Sequence, residues 1–306
     1  MAIFWVLFFK IIPLYLMIGL GYIAARFLGA QKETVARILI YIIAPAVVFY
    51  GTATTTLDAA NLSMPILYFS VACVLCLLFL QIGKRVYGAD RTKNVLAFAA
   101  GTGNVGYFGL PVALAFFDGS VFGLAVMTLL GSMLYEFTLG FFIVANGSYD
   151  FKASVAKVVK LPPLYAFVAG LAVNISQINL GAVIPTLDYF KAAYILLGMM
   201  LVGMGLAAAS LKSFDRKFVS LAFLARFAVW PAVIAAVIFA DTHWAHIYSA
   251  NAYRVIILMS VVPLAANTVA YATEFKTCPD KAAIAVFLST LFALLYIPLV
   301  VGLFLG

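Results

Sequence analysis

The chain is short of charged residues. Of its 306 residues, 10% are Asp, Glu, Lys or Arg, 66% are hydrophobic, and the mean hydropathy is +1.14. A soluble globular domain carries about 25% charged residues, so this shortage excludes that class. The sequence therefore predicts an all-α polytopic membrane protein whose surroundings are the lipid bilayer.

Cysteine and histidine are also scarce, with three and two residues. Cys73 and Cys76 are three residues apart on one apolar helix, where reduced packing cysteines are the simplest interpretation, and Cys278 lies in a loop. His243 and His246 share one short loop, and this is not the spacing of a metal site. We therefore expect no disulfide framework, no metal and no cofactor.

Long apolar runs dominate what is present. A helix that crosses a bilayer needs roughly 20 apolar residues. On that rule we predict ten spans, near residues 3–28, 35–53, 64–83, 94–117, 120–146, 161–176, 190–210, 218–240, 252–273 and 282–305. The first run contains Lys10 and Pro13 and has no A-x-A site after it, so we interpret it as a retained helix and not as a secretory signal.

The basic residues are unevenly distributed between the linkers. Most of them follow spans 1, 3, 5, 7 and 9: Arg26, Lys32, Arg37, Lys84, Arg85, Arg91, Lys93, Lys152, Lys157, Lys160, Lys212, Arg216, Lys217, Lys276 and Lys281. The opposite linkers hold few bases and several acids: Lys191, Arg254, Asp58, Asp118, Asp188 and Asp241. By the positive-inside rule both termini then lie on the non-cytoplasmic side of the plasma membrane, in a bacterium the inner membrane. The net charge of +8 thus reports topology, and we expect no nucleic-acid partner.

Ten spans divide into two groups of five, residues 1–150 and 151–306, at the basic linker 146–162. An odd number of spans in each half gives the halves opposite orientations, so a structural repeat must be inverted. The fourth and ninth spans are both interrupted. They read GTGNVGYFGLP from Gly101 to Pro111 and MSVVPLAANTVAY from Met259 to Tyr271. Such a matched pair of breaks is the best sequence indication of a transporter binding site.

The first break combines glycines with a helix-starting proline. Gly103 and Gly109 permit close backbone approach, and Pro111 suits the first turn of a new half-helix beginning near Leu110. The N–H groups of that turn would form an anion site without a formal charge. The alternative is that the glycines serve close helix packing, as we expect for Gly19, Gly21, Gly198, Gly203 and Gly205.

The second break contains Pro263, Asn267 and Thr268. We expect Asn104 and Asn267 to donate amide hydrogen bonds to a carboxylate, with Thr268 beside them and Thr102 as a supporting residue.

Five segments, taken in order, resemble the auxin efflux carrier family, whose fold is shared with the bile-acid/sodium symporters. They are IIPLYLMIGLGYIAARFLGA (11–30), IYIIAPAVVFYG (40–51), GNVGYFGLP (103–111), VVPLAANTVAYATEF (261–275) and STLFALLYIPLV (289–300). The resemblance implies two inverted five-helix repeats with crossed, interrupted fourth and ninth helices. It also implies a scaffold of spans 1, 2, 6 and 7 and a mobile core of spans 3–5 and 8–10.

The same resemblance implies a function. In the family an asparagine in each crossover helps to hold an organic carboxylate, roles that fall here on Asn104 and Asn267. It further implies a homodimer through the scaffold and elevator-type alternating access, with malate, malonate or an auxin-like acid as substrate. Two departures matter: the linker between the halves is short, and residues 261–268 lack the acid that sodium-coupled relatives carry. The coupling ion, H⁺ or Na⁺, stays open.

Two ionisable residues lie well inside predicted spans, away from the span ends. Glu136 must be protonated, paired or in contact with water. It couples transport to a proton or cation, gives polar support to the adjacent crossover, or is a neutral acid satisfied by Tyr135 or Thr138. Arg226 is expected to extend towards the membrane interface, with substrate pairing as the alternative. We therefore expect a secondary transporter of a small organic anion and not an enzyme. The alternatives are a sodium-coupled bile-acid-like symporter, a membrane-embedded enzyme and a channel.

Overall fold

The computed structural model describes residues 2–117, 119–145, 162–207 and 214–305. Outside these ranges lie Asp118, the predicted repeat boundary at 150/151, and the linker bases Lys152, Lys157, Lys160 and Lys212. Within the described ranges the regular structure is helical, apart from one isolated antiparallel bridge. The all-α class is therefore as predicted.

The helices are numbered here in chain order. They are α1 Ala2–Phe27, α2 Lys32–Thr54, α3 Ala59–Tyr87, α4 Thr92–Gly101, α5 Val105–Phe116, α6 Phe122–Ala145, α7 Pro162–Ile175, α8 Ile184–Leu206, α9 Arg216–Ala245, α10 Ala250–Ser260, α11 Asn267–Glu274 and α12 Pro279–Leu305. Short π-helical turns interrupt the regular hydrogen bonding of α2, α5, α6 and α9.

Seven of the described helices are long and apolar enough to cross a membrane: α1, α2, α3, α6, α8, α9 and α12. Helices α5 and α7 are shorter apolar helices. The predicted fourth span is the pair α4 and α5, and the predicted ninth span is the pair α10 and α11. A polytopic membrane protein is thereby confirmed, while ten crossings in two inverted repeats stay a prediction.

Helices α1 and α8 pack closely along their length because glycines lie where they cross. A Cβ on Gly21 would overlap the Met200 backbone, and one on Gly203 would overlap the Ile18 carbonyl. Both glycines thus serve close packing, as expected. The expectation is wrong for Gly19, which has open space where a Cβ would point.

The remaining helices surround the two interrupted pairs. Helix α7 packs on the second half of α2, and α3 packs on α4 and α6. Helix α12 contacts α9, α10 and α11, and it also touches α1. The interrupted segments between α4 and α5 and between α10 and α11 are therefore enclosed by other helices.

Candidate functional site

The two helix breaks lie directly against each other. Gly103 and Leu264 form an antiparallel bridge, and the Asn104 backbone N–H donates to the Pro263 carbonyl at 2.8 Å. The Leu264 N–H donates to Ser289 Oγ on α12 at 3.1 Å. Backbone groups released by the breaks thus find partners inside the protein, as an apolar surrounding requires.

The carbonyl groups at the end of α4 accept hydrogen bonds from side chains of other helices. Trp230 Nε1 donates to the Ala100 carbonyl at 2.8 Å, and the Tyr135 hydroxyl donates to the Phe98 carbonyl at 3.1 Å. The last carbonyls of a helix have no partner within the helix. These two bonds therefore allow α4 to end inside the protein.

The end of α10 is satisfied in a similar way. The Tyr68 hydroxyl donates to the Ile256 carbonyl at 3.0 Å. Arg226 Nε donates to the Val262 carbonyl at 2.6 Å, and a second guanidinium nitrogen donates to the Met259 carbonyl. Arg226 is only 1% exposed, so the expectation that it extends to the membrane interface is wrong. The free carbonyls of α10 are a better partner for a guanidinium than apolar surroundings.

A cavity of about 70 Å³ lies beside the crossing point. Its lining comes from both breaks and from α2, α6, α7 and α8: Ile40, Ala44, Gly103, Asn104, Val105, Gly106, Tyr107, Leu129, Ser132, Met133, Glu136, Phe137, Pro163, Tyr194, Ala265, Ala266 and Asn267. One water needs about 10–15 Å³, so the cavity has room for a molecule the size of a few waters.

Asn104 has an unused donor at this cavity. Its side chain is 4% exposed, and Nδ2 has no hydrogen-bond partner. Buried polar groups in proteins are nearly always paired, and an unpaired one indicates a ligand, a water or a functional role. Asn104 therefore combines a position in the cavity lining with an unpaired, buried amide nitrogen.

Glu136 connects the two breaks. Its carboxylate accepts a hydrogen bond from the Thr102 hydroxyl on one oxygen and from Asn267 Nδ2, at 2.6 Å, on the other. The side chain lines the cavity and begins a π-helical turn of α6, a distortion common at functional sites. The partners expected for a neutral acid, Tyr135 and Thr138, instead donate to backbone carbonyls. The expected partners are therefore wrong, whereas contacts with Thr102 and Asn267 agree with the alternative that Glu136 gives polar support to the breaks.

The half-helix of the first break begins earlier than expected. Helix α5 starts at Val105, and the Gly109 N–H donates to the Asn104 carbonyl at 2.8 Å. Leu110 is therefore inside the helix, and its neighbour Pro111 is buried away from the cavity. The first turn of α5 therefore contains Gly106, which lines the cavity, and does not begin near Leu110 as expected.

The predicted glycines and Thr268 are structural neighbours of the cavity. A Cβ on Gly109 would lie 2.7 Å from Met259 Sδ, and one on Gly103 would overlap the Arg226 guanidinium. Both glycines allow the breaks to cross closely, and Gly103 also lines the cavity. Thr268 is 1% exposed with an unpaired hydroxyl, yet it does not line the cavity.

Several lining residues were missed by sequence reasoning. Tyr107, Ser132, Met133 and Tyr194 come from the first break and from spans that could not be aligned with one another. Ser132 could have been predicted from the sequence, because it lies four residues before Glu136 and therefore on the same face of the helix. Tyr194 had none, since it lies in the distant helix α8.

Fold and site together define the class of protein: a polytopic membrane protein with a cavity where two broken helices cross, the arrangement of a secondary transporter. Residues 6–156 match a family described as "Membrane transport protein". The chain is also 27% identical over 299 residues to an uncharacterized transporter of Methanocaldococcus jannaschii, covering 93% of this chain and 94% of that protein. Both matches are to transport proteins, and they indicate a transporter and not an enzyme.

Proposed function

We propose that the protein carries a small organic anion, with the carboxylate of the substrate held where the two broken helices cross. The observation that carries the proposal is the buried, unpaired amide of Asn104 at the cavity. The first turn of α5 lies next to it, and N–H groups at a helix start favour a negative charge. Malate, malonate and auxin-like acids belong to this substrate class.

Glu136 is the proposed site of coupling to protons. An ionised carboxylate at the same cavity would repel an anionic substrate, and burying that charge in a membrane costs about 3 kcal/mol. Protonation removes both penalties. Because no acid is present in residues 261–268, we propose H⁺ and not Na⁺ as the coupled ion.

The helix packing supports elevator-type movement between two bodies. Helices α1, α2, α7 and α8 contact one another, with α1 on α8 and α7 on α2, as expected of a scaffold built from two inverted repeats. The cavity has scaffold residues Ile40, Pro163 and Tyr194 on one side and both breaks on the other. A substrate bound to the breaks could then move with the core past a fixed scaffold. Pairing of two scaffolds in a homodimer would hold that scaffold still.

The proposed setting is the plasma membrane, in a bacterium the inner membrane, with both termini on the non-cytoplasmic side. The support comes from the basic residues at one set of helix ends, among them Lys84, Arg85, Arg216 and Lys217.

Transport in proteoliposomes tests the proposal. Uptake of a labelled organic acid such as malate, malonate or indole-3-acetate should saturate and show counterflow. A conductance that does not saturate would instead indicate a channel, and absence of transport for every acid would overturn the proposal.

Asn104→Ala tests the binding site itself. We expect a loss of affinity of roughly tenfold or more, since a hydrogen bond to a charged group contributes about 1.5–3 kcal/mol. Thr52→Val is the matched control, because Thr52 is also fully buried with an unpaired oxygen but does not line the cavity. Equal affinities in the two variants would sink the assignment.

A further inference from the structure

Arg226 carries a positive charge into the interior of the protein. Its side chain is 1% exposed within the π-helical turn Ala225–Val229 of α9. The guanidinium donates to the carbonyls of Met259 and Val262 and lies 5.0 Å from the centre of the Trp230 ring. All of these partners are neutral.

No carboxylate compensates this charge in the described part of the chain. Lys191 pairs with Asp188 and Lys281 pairs with Asp215, and no acidic oxygen of a described residue lies within 4.0 Å of Arg226. Glu136, the buried acid of the site, is hydrogen-bonded to Thr102 and Asn267 instead. Carbonyl dipoles and a ring face stabilise the guanidinium but leave its net charge in place.

Gly103 separates this charge from the cavity. A Cβ on Gly103 would overlap the guanidinium, so the two groups are in direct contact. Gly103 itself lines the cavity and precedes Asn104, whose amide is unpaired there. The guanidinium does not line the cavity, so its charge must act across one backbone residue.

Building on the proposed function, we propose that Arg226 is the fixed positive charge of the anion site. It acts through Gly103 without touching the substrate and makes the cavity select acids over neutral molecules of the same shape. A charge shielded from water acts strongly over several ångströms because the surrounding dielectric constant is low. Arg226 is thus a specificity-determining residue, and capping α10 is its second role.

The preference of the site for acids over the corresponding amides distinguishes an electrostatic role of Arg226 from a purely structural one. Binding to the purified full-length protein is followed by thermal shift for four acids and their amides: acetate, malonate, malate and indole-3-acetate, each against the corresponding amide. The wild type is expected to prefer the acid. In Arg226→Gln that preference should fall roughly tenfold to a hundredfold, and Arg226→Lys should retain part of it. A purely structural defect would weaken acids and amides alike.

Gly103→Ala is the second variant, for the case in which Arg226→Gln does not fold. Its methyl group displaces the guanidinium from its contact with Gly103 while the charge stays in the protein, so the acid preference should fall here as well. Lys10→Met is the control: Lys10 donates to the Phe116 carbonyl, away from the cavity, and its loss should leave the preference unchanged.

Two negative outcomes are distinguishable. A wild type that prefers acids, with variants that keep the full preference, overturns the role of Arg226 alone. A wild type that binds none of the acids overturns the proposed function, and the role of Arg226 with it.

Discussion

Asn267 Nδ2 donates a 2.6 Å hydrogen bond to Oε2 of Glu136, although the two residues are 131 positions apart in the chain. The other oxygen of the same carboxylate accepts from Thr102. One acid on α6 therefore contacts both breaks. The side-chain amide of Asn267 donates to it, whereas Nδ2 of Asn104 has no partner. The two asparagines, which the sequence treats as equivalent, have different partners.

Replacing Glu136 with Gln is predicted to flatten the pH dependence of transport. In the wild type, uptake should rise as the pH falls, because protonation removes a negative charge that opposes the anion. The amide of Gln stays neutral at all pH values, so the variant should bind substrate without that dependence. Initial uptake rates across a pH series measure this, with Asp188→Asn as a control acid outside the cavity. An unchanged pH profile in Glu136→Gln would leave the residue structural.

Asn267→Ala and Asn104→Ala are predicted to differ in stability. Removing Asn267 leaves a buried carboxylate oxygen without its donor, which costs about 1–3 kcal/mol, whereas the Asn104 amide has no partner to lose. Thermal denaturation in detergent should show a clear loss for Asn267→Ala and a small one for Asn104→Ala. Equal losses would contradict the arrangement described here.

Gly203→Ala is predicted to destabilise the contact between α1 and α8. Its Cβ would overlap the Ile18 carbonyl, and overpacking of this kind costs about 1–3 kcal/mol. Gly19→Ala is a matched control, because Gly19 lies in the same helix pair and has open space where a Cβ would point. The control should be neutral or slightly stabilising in thermal denaturation, since Ala favours a helix over Gly. Similar melting temperatures for the two variants would refute the packing argument.

Asp215 is predicted to contribute stability that depends on pH. Its carboxylate caps α9 through the Phe218 N–H at 3.1 Å and pairs with Lys281 at 2.9 Å. Burial acts to raise the pKa of Asp215, but the bonds from Lys281 and Phe218 outweigh it and hold the pKa below its ordinary value of 3.8.

The sign of the effect follows from that shift. The contribution is complete above the unfolded-state pKa and is lost as the pH falls through the lower, folded-state value. Asp215→Asn should therefore lower the stability by up to about 1 kcal/mol at neutral pH through the lost ion pair with Lys281, since Asn can still cap the helix. The difference from the wild type should shrink below about pH 4. A difference that stays constant down to the lowest pH at which the wild type is folded would disprove the linkage.

Much of the architecture follows from local properties of the chain. Hydrophobic length predicted the membrane class and most helix positions, and glycine and proline located the two breaks, because each depends on neighbouring residues only. The family resemblance named a transporter, and both comparisons are with transport proteins. The same local pattern also identified the break that contains Asn104 and Gly106, two residues that line the cavity.

Only the tertiary structure decided which polar side chains contact one another. Sequence reasoning expected Arg226 at the membrane interface and named Tyr135 or Thr138 as partners of a neutral Glu136. The fold instead places Arg226 behind Gly103, and Glu136 accepts hydrogen bonds from Thr102 and Asn267. The reason is physical. Helix length and helix breaks are set by residues adjacent in the chain, whereas the rotation of each helix about its axis is set by packing against distant ones. That rotation determines which polar groups meet inside an apolar protein.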